Sequence, residues 1–122
     1  MPKVLVVDDS DTLRAQLTKT LVGAGIEIVE AADGVLGLSA FTSDPDIKLV
    51  ISDVNMPNMD GLTMCSKLVE LPNGKTTPII MLTTESNADM KEKGKAIGVK
   101  AWVTKPYQDD KLIMAVKKLL GI

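Results

Sequence analysis

Five short apolar runs, rich in Val and Ile and nearly free of polar alternation, most constrain what this chain can fold into. They are Val4-Leu5-Val6-Val7, Ile26 to Val29, Leu49-Val50-Ile51, Pro78 to Leu82 and Ala101-Trp102-Val103. A strand with one face in water alternates apolar and polar residues. A strand without that alternation is covered on both faces, as in a parallel sheet between helices. The segments between the runs have helical spacing. Leu13, Leu17 and Leu21 fall on one helix face, and Gly23 and Gly25 end it. Asp33 to Phe41 predicts a helix with Val35, Leu36, Leu38 and Phe41 on its apolar side, followed by the turn Asp44-Pro45-Asp46. Gly61 to Leu71 predicts a helix burying Leu62, Cys65, Leu68 and Val69, broken by Pro72-Asn73-Gly74. Asn87 to Ile97 has a thinner apolar face, and Gly94 in its interior costs about 1 kcal/mol relative to Ala. Asp109 to Leu120 carries Leu112, Ala115, Val116, Leu119 and Leu120 on one stripe. The sum is five β-α units, hence an α/β fold with a doubly wound, five-stranded parallel sheet and five helices.

Composition narrows the chemistry. With 122 residues the chain suits one domain, residues 1–122, with a core that needs no staple. Cys65 is the only cysteine and there is no histidine, so an intrachain disulfide, cysteine-zinc clusters and His-based triads are excluded. A net charge of −2 argues against broad nucleic-acid binding. No apolar run approaches the ~20 residues of a membrane span. After Met1-Pro2-Lys3 only Val4 to Val7 are apolar before Asp8, too short for a signal peptide. The expectation is a cytoplasmic monomer, and the end at Gly121-Ile122, just past the last helix, suits a complete domain.

The polar residues fall where the apolar runs stop. The first run ends in Asp8-Asp9, the third in Asp53, the fourth in Thr83-Thr84 and the fifth in Thr104-Lys105-Pro106. In a parallel sheet these ends share one edge, where ligands bind. Three carboxylates converging there must take up protons or bind a cation. Hard oxygens without His or Cys favour Mg²⁺ or Mn²⁺ over Zn²⁺. A metal, a lysine and a hydroxyl around one carboxylate make a phosphoryl-transfer site with Asp as nucleophile. Singly, each residue has a plainer use: Asp9 or Ser10 as a helix cap, Asp60-Gly61 as a turn and helix start, Lys105 as a solvated charge, Thr83 as a strand residue that also caps. Joint placement at successive strand ends favours the site.

The segments Val4-Leu5-Val6-Val7-Asp8-Asp9-Ser10, Ile51-Ser52-Asp53-Val54-Asn55-Met56-Pro57-Asn58-Met59-Asp60-Gly61, Met81-Leu82-Thr83 and Val103-Thr104-Lys105-Pro106 resemble the receiver domain of two-component response regulators, in order and spacing, over the whole chain. The stretch from Asp53 to Gly61 is most similar to the single-domain chemotaxis members. The resemblance implies a flavodoxin-like fold with strand order 2-1-3-4-5. It implies Asp53 as phosphoacceptor, with Mg²⁺ held by Asp9, Asp53 and the backbone carbonyl of Asn55, and Asp8 acting through water. It implies Lys105 on the phosphoryl group and on the Asp53 carboxylate, and a cis Lys105–Pro106 bond. Thr83 and Trp102 fall at the family's switch positions, Asn55 and Glu85 where it tunes the phosphoryl lifetime. Trp102 stands where Tyr is common, and its plainer use is core packing. Thr84 stands where a small residue is frequent.

The same resemblance implies a signalling domain that catalyses only its own phosphorylation and dephosphorylation. Its expected partners are a chemotaxis-type histidine kinase and a flagellar motor switch protein, or, as a relay carrier or phosphate sink, no output partner. Residues 86–122 hold eight lysines against four acids, which suits a protein-binding face or a solvated one. Two rivals from other classes are weaker. A dinucleotide-binding fold needs a Gly-rich first turn, and here that turn is Asp8-Asp9-Ser10-Asp11. A haloacid-dehalogenase-type phosphatase wants Thr or Val where Leu13 stands.

Overall fold

The computed structural model describes residues 2–122. Five parallel strands lie in the order β2-β1-β3-β4-β5. They are β1 (Lys3–Val7), β2 (Glu27–Ala31), β3 (Ile47–Ser52), β4 (Ile79–Thr83) and β5 (Ala101–Thr104). The helices are α1 (Asp11–Gly23), α2 (Gly34–Ser43), α3 (Gly61–Leu68), α4 (Ala88–Ile97) and α5 (Asp109–Leu120). A single 3₁₀ turn spans Gly74–Thr76.

Strand residues point alternately to the two sheet faces, so each strand feeds two cores. Leu5 and Val7 of β1 join Phe41, Met64, Cys65 and Leu68 under α2 and α3. Val4 and Val6 join Leu17, Leu21, Leu112 and Val116 under α1 and α5. Both faces of the central strands β1, β3 and β4 are therefore dry, whereas the edge strands are only half-buried and β2 exposes Glu27 and Glu30.

Three details differ from the sequence pattern. Val35 and Leu36 are 48% and 52% exposed, while Gly37 and Phe41 face the core and Gly34 is buried against Met59 of the β3–α3 loop. At Gly37 an added Cβ would stand 2.8 Å from the Met64 sulfur, so α2 lies too close to the core for larger residues there. Leu13 is likewise 40% exposed, leaving Leu17 and Leu21 as the buried residues of α1. Third, α3 ends at Leu68 instead of Leu71; residues 69–73 are turns and a bend, and the 3₁₀ turn begins only at Gly74.

Candidate functional site

Register brings the polar strand ends together. Val7 pairs with Ser52 across β1 and β3, and the Asp53 amide donates to the Val7 carbonyl at 3.0 Å. Asp8 and Asp53 therefore leave adjacent strands side by side. Ser52 pairs with Met81 and Thr83 with Thr104 on the other side, and the Lys105 amide donates to the Thr83 carbonyl at 2.8 Å.

One carboxylate oxygen each from Asp8, Asp9 and Asp53 lies within 4.8 Å of the other two. Lys105 Nζ reaches into this cluster, donating to Asp8 Oδ2 at 2.7 Å and to Asp53 Oδ2 at 3.2 Å. The ammonium thus sits closer to Asp8 than to the expected partner, Asp53. Burial works to lower the Lys105 pKa, but the hydrogen bond it donates to Asp8 and the charges of Asp53 and Asp8 outweigh it and raise it above the ordinary 10.5. Asp8 is buried, and its other oxygen accepts from the Ser10 amide at 2.9 Å. Asp53 Oδ1 accepts from the Val54 amide at 2.7 Å. Asp9 is exposed and has no ion pair among the described residues.

The capping role falls to neighbours. Ser10 Oγ accepts from the Leu13 amide and caps α1, which leaves Asp9 free. Asp60 caps α3 through the Thr63 amide. Three carboxylates against one ammonium leave an excess of two negative charges, which one divalent cation cancels. The donors are all hard oxygens, so the residues fit Mg²⁺ or Mn²⁺. Asn55 is exposed in the β3–α3 loop, two residues past Asp53.

Thr83 is fully buried, and its hydroxyl accepts from the Glu85 amide at 3.2 Å. The Glu85 carbonyl in turn accepts from Trp102 Nε1 at 2.8 Å. Thr83 and Trp102 are therefore linked through one residue of the β4–α4 loop. Trp102 is half-buried, and its ring lies over Gly94 of α4, where an added Cβ would be 3.0 Å from the ring edge. The glycine that weakens the α4 pattern is the floor on which the indole rests. Thr84 is exposed on the rim of a cavity of about 380 Å³ that Asp8, Lys105, Leu13 and Tyr107 also line. The Glu85 carboxylate accepts from the Asn87 amide, and Lys105–Pro106 is cis.

Sequence reasoning gave no role to several residues that shape this edge. Arg14 donates to Asp11, Glu30 and the Asp8 carbonyl. Asp33 caps α2 and accepts from the Asn58 amide group at 2.8 Å, tying the β3–α3 loop to α2. The sole thiol, Cys65, is buried, and burial first, then the Asp60 charge, push its pKa up to about 12, so it is no nucleophile.

Gly61 begins α3 against the backbone that carries Asp53. Its amide donates to the Val54 carbonyl at 2.8 Å, and an added Cβ would stand 1.9 Å from the Asp53 carbonyl oxygen. Backbone cannot yield as a side-chain tip can. Gly61→Ala is expected to cost about 2 kcal/mol in chemical denaturation and to weaken cation binding, because the displaced peptide carries Asp53.

An open parallel sheet whose carboxyl edge gathers three aspartates and a lysine defines a class of domains, and the comparisons agree on which. The chain belongs to the response regulator receiver domain family, whose model matches residues 4–117. It is 36% identical over 120 residues to the chemotaxis protein CheY1 of Helicobacter pylori, covering 98% of this chain and 97% of that protein. To the protein PilG of Pseudomonas aeruginosa it is 32% identical over 115 residues, covering 94% and 84% of the two chains. Among solved structures, Vibrio cholerae CheY4 superposes with a TM-score of 0.91 at 39% identity, covering 98% of both chains. CheY in the CheX-CheY-BeF₃-Mg²⁺ complex of Borrelia burgdorferi superposes with a TM-score of 0.90 at 30% identity, covering 98% of this chain and 89% of that one. The strand order and the flavodoxin-like fold expected from the resemblance are the ones observed. Receiver domains are signalling domains that bind Mg²⁺ at an acidic pocket, and this chain carries such a pocket. No helix among the described residues is long and apolar enough to cross a membrane.

Proposed function

We propose that the chain is a single receiver domain, residues 1–122, that accepts a phosphoryl group on Asp53 from a histidine kinase and signals by phosphorylation-dependent protein binding. The observation that carries this reading is the reach of Lys105 Nζ to both Asp8 and Asp53 inside an acid cluster with a two-charge deficit. Each residue has a role that its place supports. Asp53 Oδ attacks the phosphorus of a phosphohistidine. An O–P bond forms, the N–P bond breaks, and the imidazole leaves with the electron pair. Lys105 follows the incoming oxygens with its positive charge. Asp9, Asp53 and the Asn55 carbonyl would hold the cation, with Asp8 acting through water. When bound, Mg²⁺ or Mn²⁺ neutralises charge on the transferring group.

The product carries up to two negative charges on the phosphoryl oxygens beside Thr83, in place of the single charge of the free carboxylate. If the Thr83 hydroxyl turns to donate to the phosphoryl group, the Glu85 amide loses its acceptor. The β4–α4 loop then shifts, and with it the carbonyl that holds Trp102. The face of α4, β5 and α5 thereby changes shape, a population shift between two packings. Asn55 and Glu85 flank the site where they would set the phosphoryl lifetime. The relatives named as chemotaxis proteins favour a chemotaxis pathway; within that reading the output partner is a flagellar motor switch protein.

The test is Mg²⁺-dependent labelling with a small acyl phosphate, followed by binding of the labelled chain to a motor-switch peptide. Labelling without tighter peptide binding would retain the receiver chemistry and remove motor control, leaving a relay carrier or phosphate sink. The single tryptophan gives an independent check. Trp102 emission is expected to change on joint addition of Mg²⁺ and beryllofluoride, and a flat response would count against the Thr83–Glu85–Trp102 link.

A further inference from the structure

Arg14 is the only arginine in the chain. Its side chain is 14% exposed and spends its donors on acceptors from three places. Nη2 donates to Asp11 Oδ1 of α1 at 2.7 Å, Nε to Glu30 Oε1 of β2 at 3.1 Å, and Nη1 to the carbonyl oxygen of Asp8. That carbonyl belongs to the peptide joining Asp8 to Asp9. The other side of the same turn is also held, since the Asp8 amide donates to the Ala31 carbonyl and the Ser10 amide to Asp8 Oδ1. Asp9 itself makes no ion pair among the described residues, so the direction in which it leaves the chain follows from this backbone. Asp11 shares the turn, yet it pairs with Arg14 and stays outside the three-acid cluster.

We propose that Arg14 is a positioning residue for cation binding: it fixes the Asp8–Asp9 peptide and holds Asp11 outward, so that Asp9 and Asp53 present their oxygens at the spacing one divalent ion needs. The proposal rests on the cation-binding role assigned to Asp9 and Asp53 above.

Electrostatics and positioning give opposite signs, which makes the idea testable. A guanidinium near the cluster repels an incoming cation, so charge alone predicts that Arg14→Gln tightens binding. Positioning predicts that it weakens. Arg14→Lys keeps the charge, but its donors all sit on one nitrogen and cannot span the acceptors that Nε, Nη1 and Nη2 reach from separate positions. Supporting contacts of this kind typically change metal affinity by about tenfold or more.

The probe is Mn²⁺, followed by electron paramagnetic resonance and displaced by Mg²⁺, well below the melting temperature of each variant so that a lower stability does not move the dissociation constant. Asp9→Asn locates the site. The expected result is affinity about tenfold weaker in Arg14→Lys and weakened at least as much in Arg14→Gln. At saturating cation, labelling of both variants by a small acyl phosphate should recover toward the parent rate. Parent-like affinity in Arg14→Lys, or tighter binding in Arg14→Gln, overturns the positioning role while the cation site stands. No Mn²⁺ binding by the parent chain overturns the cation site, and the role of Arg14 with it.

Discussion

Asp53→Asn is expected to abolish covalent labelling by a small acyl phosphate, in the presence or absence of Mg²⁺, while leaving the fold intact. The amide keeps the shape of the carboxylate, and its oxygen can still accept from the Val54 amide now 2.7 Å from Asp53 Oδ1. What it loses is the anionic oxygen that attacks phosphorus. Removing one of three crowded carboxylates also relieves repulsion, so the unliganded variant should melt no lower than the parent. Label that persists in Asp53→Asn and maps to Asp9 would favour the phosphatase-type rival, because Asp9 follows the first strand as that nucleophile does. Scintillation counting of the gel band decides the first point and peptide mapping the second.

Lys105→Met is expected to have the second largest effect, and on two quantities at once. Among the described residues Lys105 is the only cation paired with Asp8 and Asp53, and the side chains of Lys105 and Asp8 are 11% and 6% exposed. Breaking a buried pair from one side leaves an uncompensated charge and costs about 3 kcal/mol. The labelling rate should fall by about 10²–10³, the usual loss when one donor to developing charge is removed. Mg²⁺ separates the two effects. A divalent ion restores positive charge to the cluster and should recover part of the stability, but not the rate, because it does not replace the ammonium on the phosphoryl oxygens.

The pH dependence has a definite sign. The pKa of Lys105 is raised in the folded protein, so its contribution is fully present below 10.5 and is lost as pH climbs through the folded value. The stability gap between parent and Lys105→Met should be flat from neutral pH upward and close only in alkali beyond the ordinary lysine range. A gap that closes near neutrality would mean that the ion pair is not its source.

The fold was legible because the buried strands lack polar alternation, a pattern that depends on the chain's own residues alone. The four acidic or basic residues of the site, Asp8, Asp9, Asp53 and Lys105, were legible for a related reason. Once the strands are placed, their polar ends must share an edge, and register does the rest. What stayed hidden depends on close approach between segments distant in sequence. Val35 and Leu36 satisfy helical spacing as well as Gly34 and Gly37 do, and only the contact of Gly37 with Met64 and Val7 decides which side faces the sheet. Gly94 weakens a helix on paper and makes room for an indole in space. In the brace around Arg14, helical spacing marks the i,i+3 pair with Asp11, but nothing local marks the arm to Glu30, sixteen positions away.

A crystal structure of the chain with Mg²⁺ and beryllofluoride bears most directly on the claim that crowded acids, neutralised by a divalent ion, let Asp53 accept a phosphoryl group. The expected result is beryllofluoride on an oxygen of Asp53, in contact with Lys105 Nζ, beside one ion ligated by Asp9, Asp53 and the Asn55 carbonyl. Beryllofluoride on Asp9, or an ion that shares no ligand with Asp53, would contradict it.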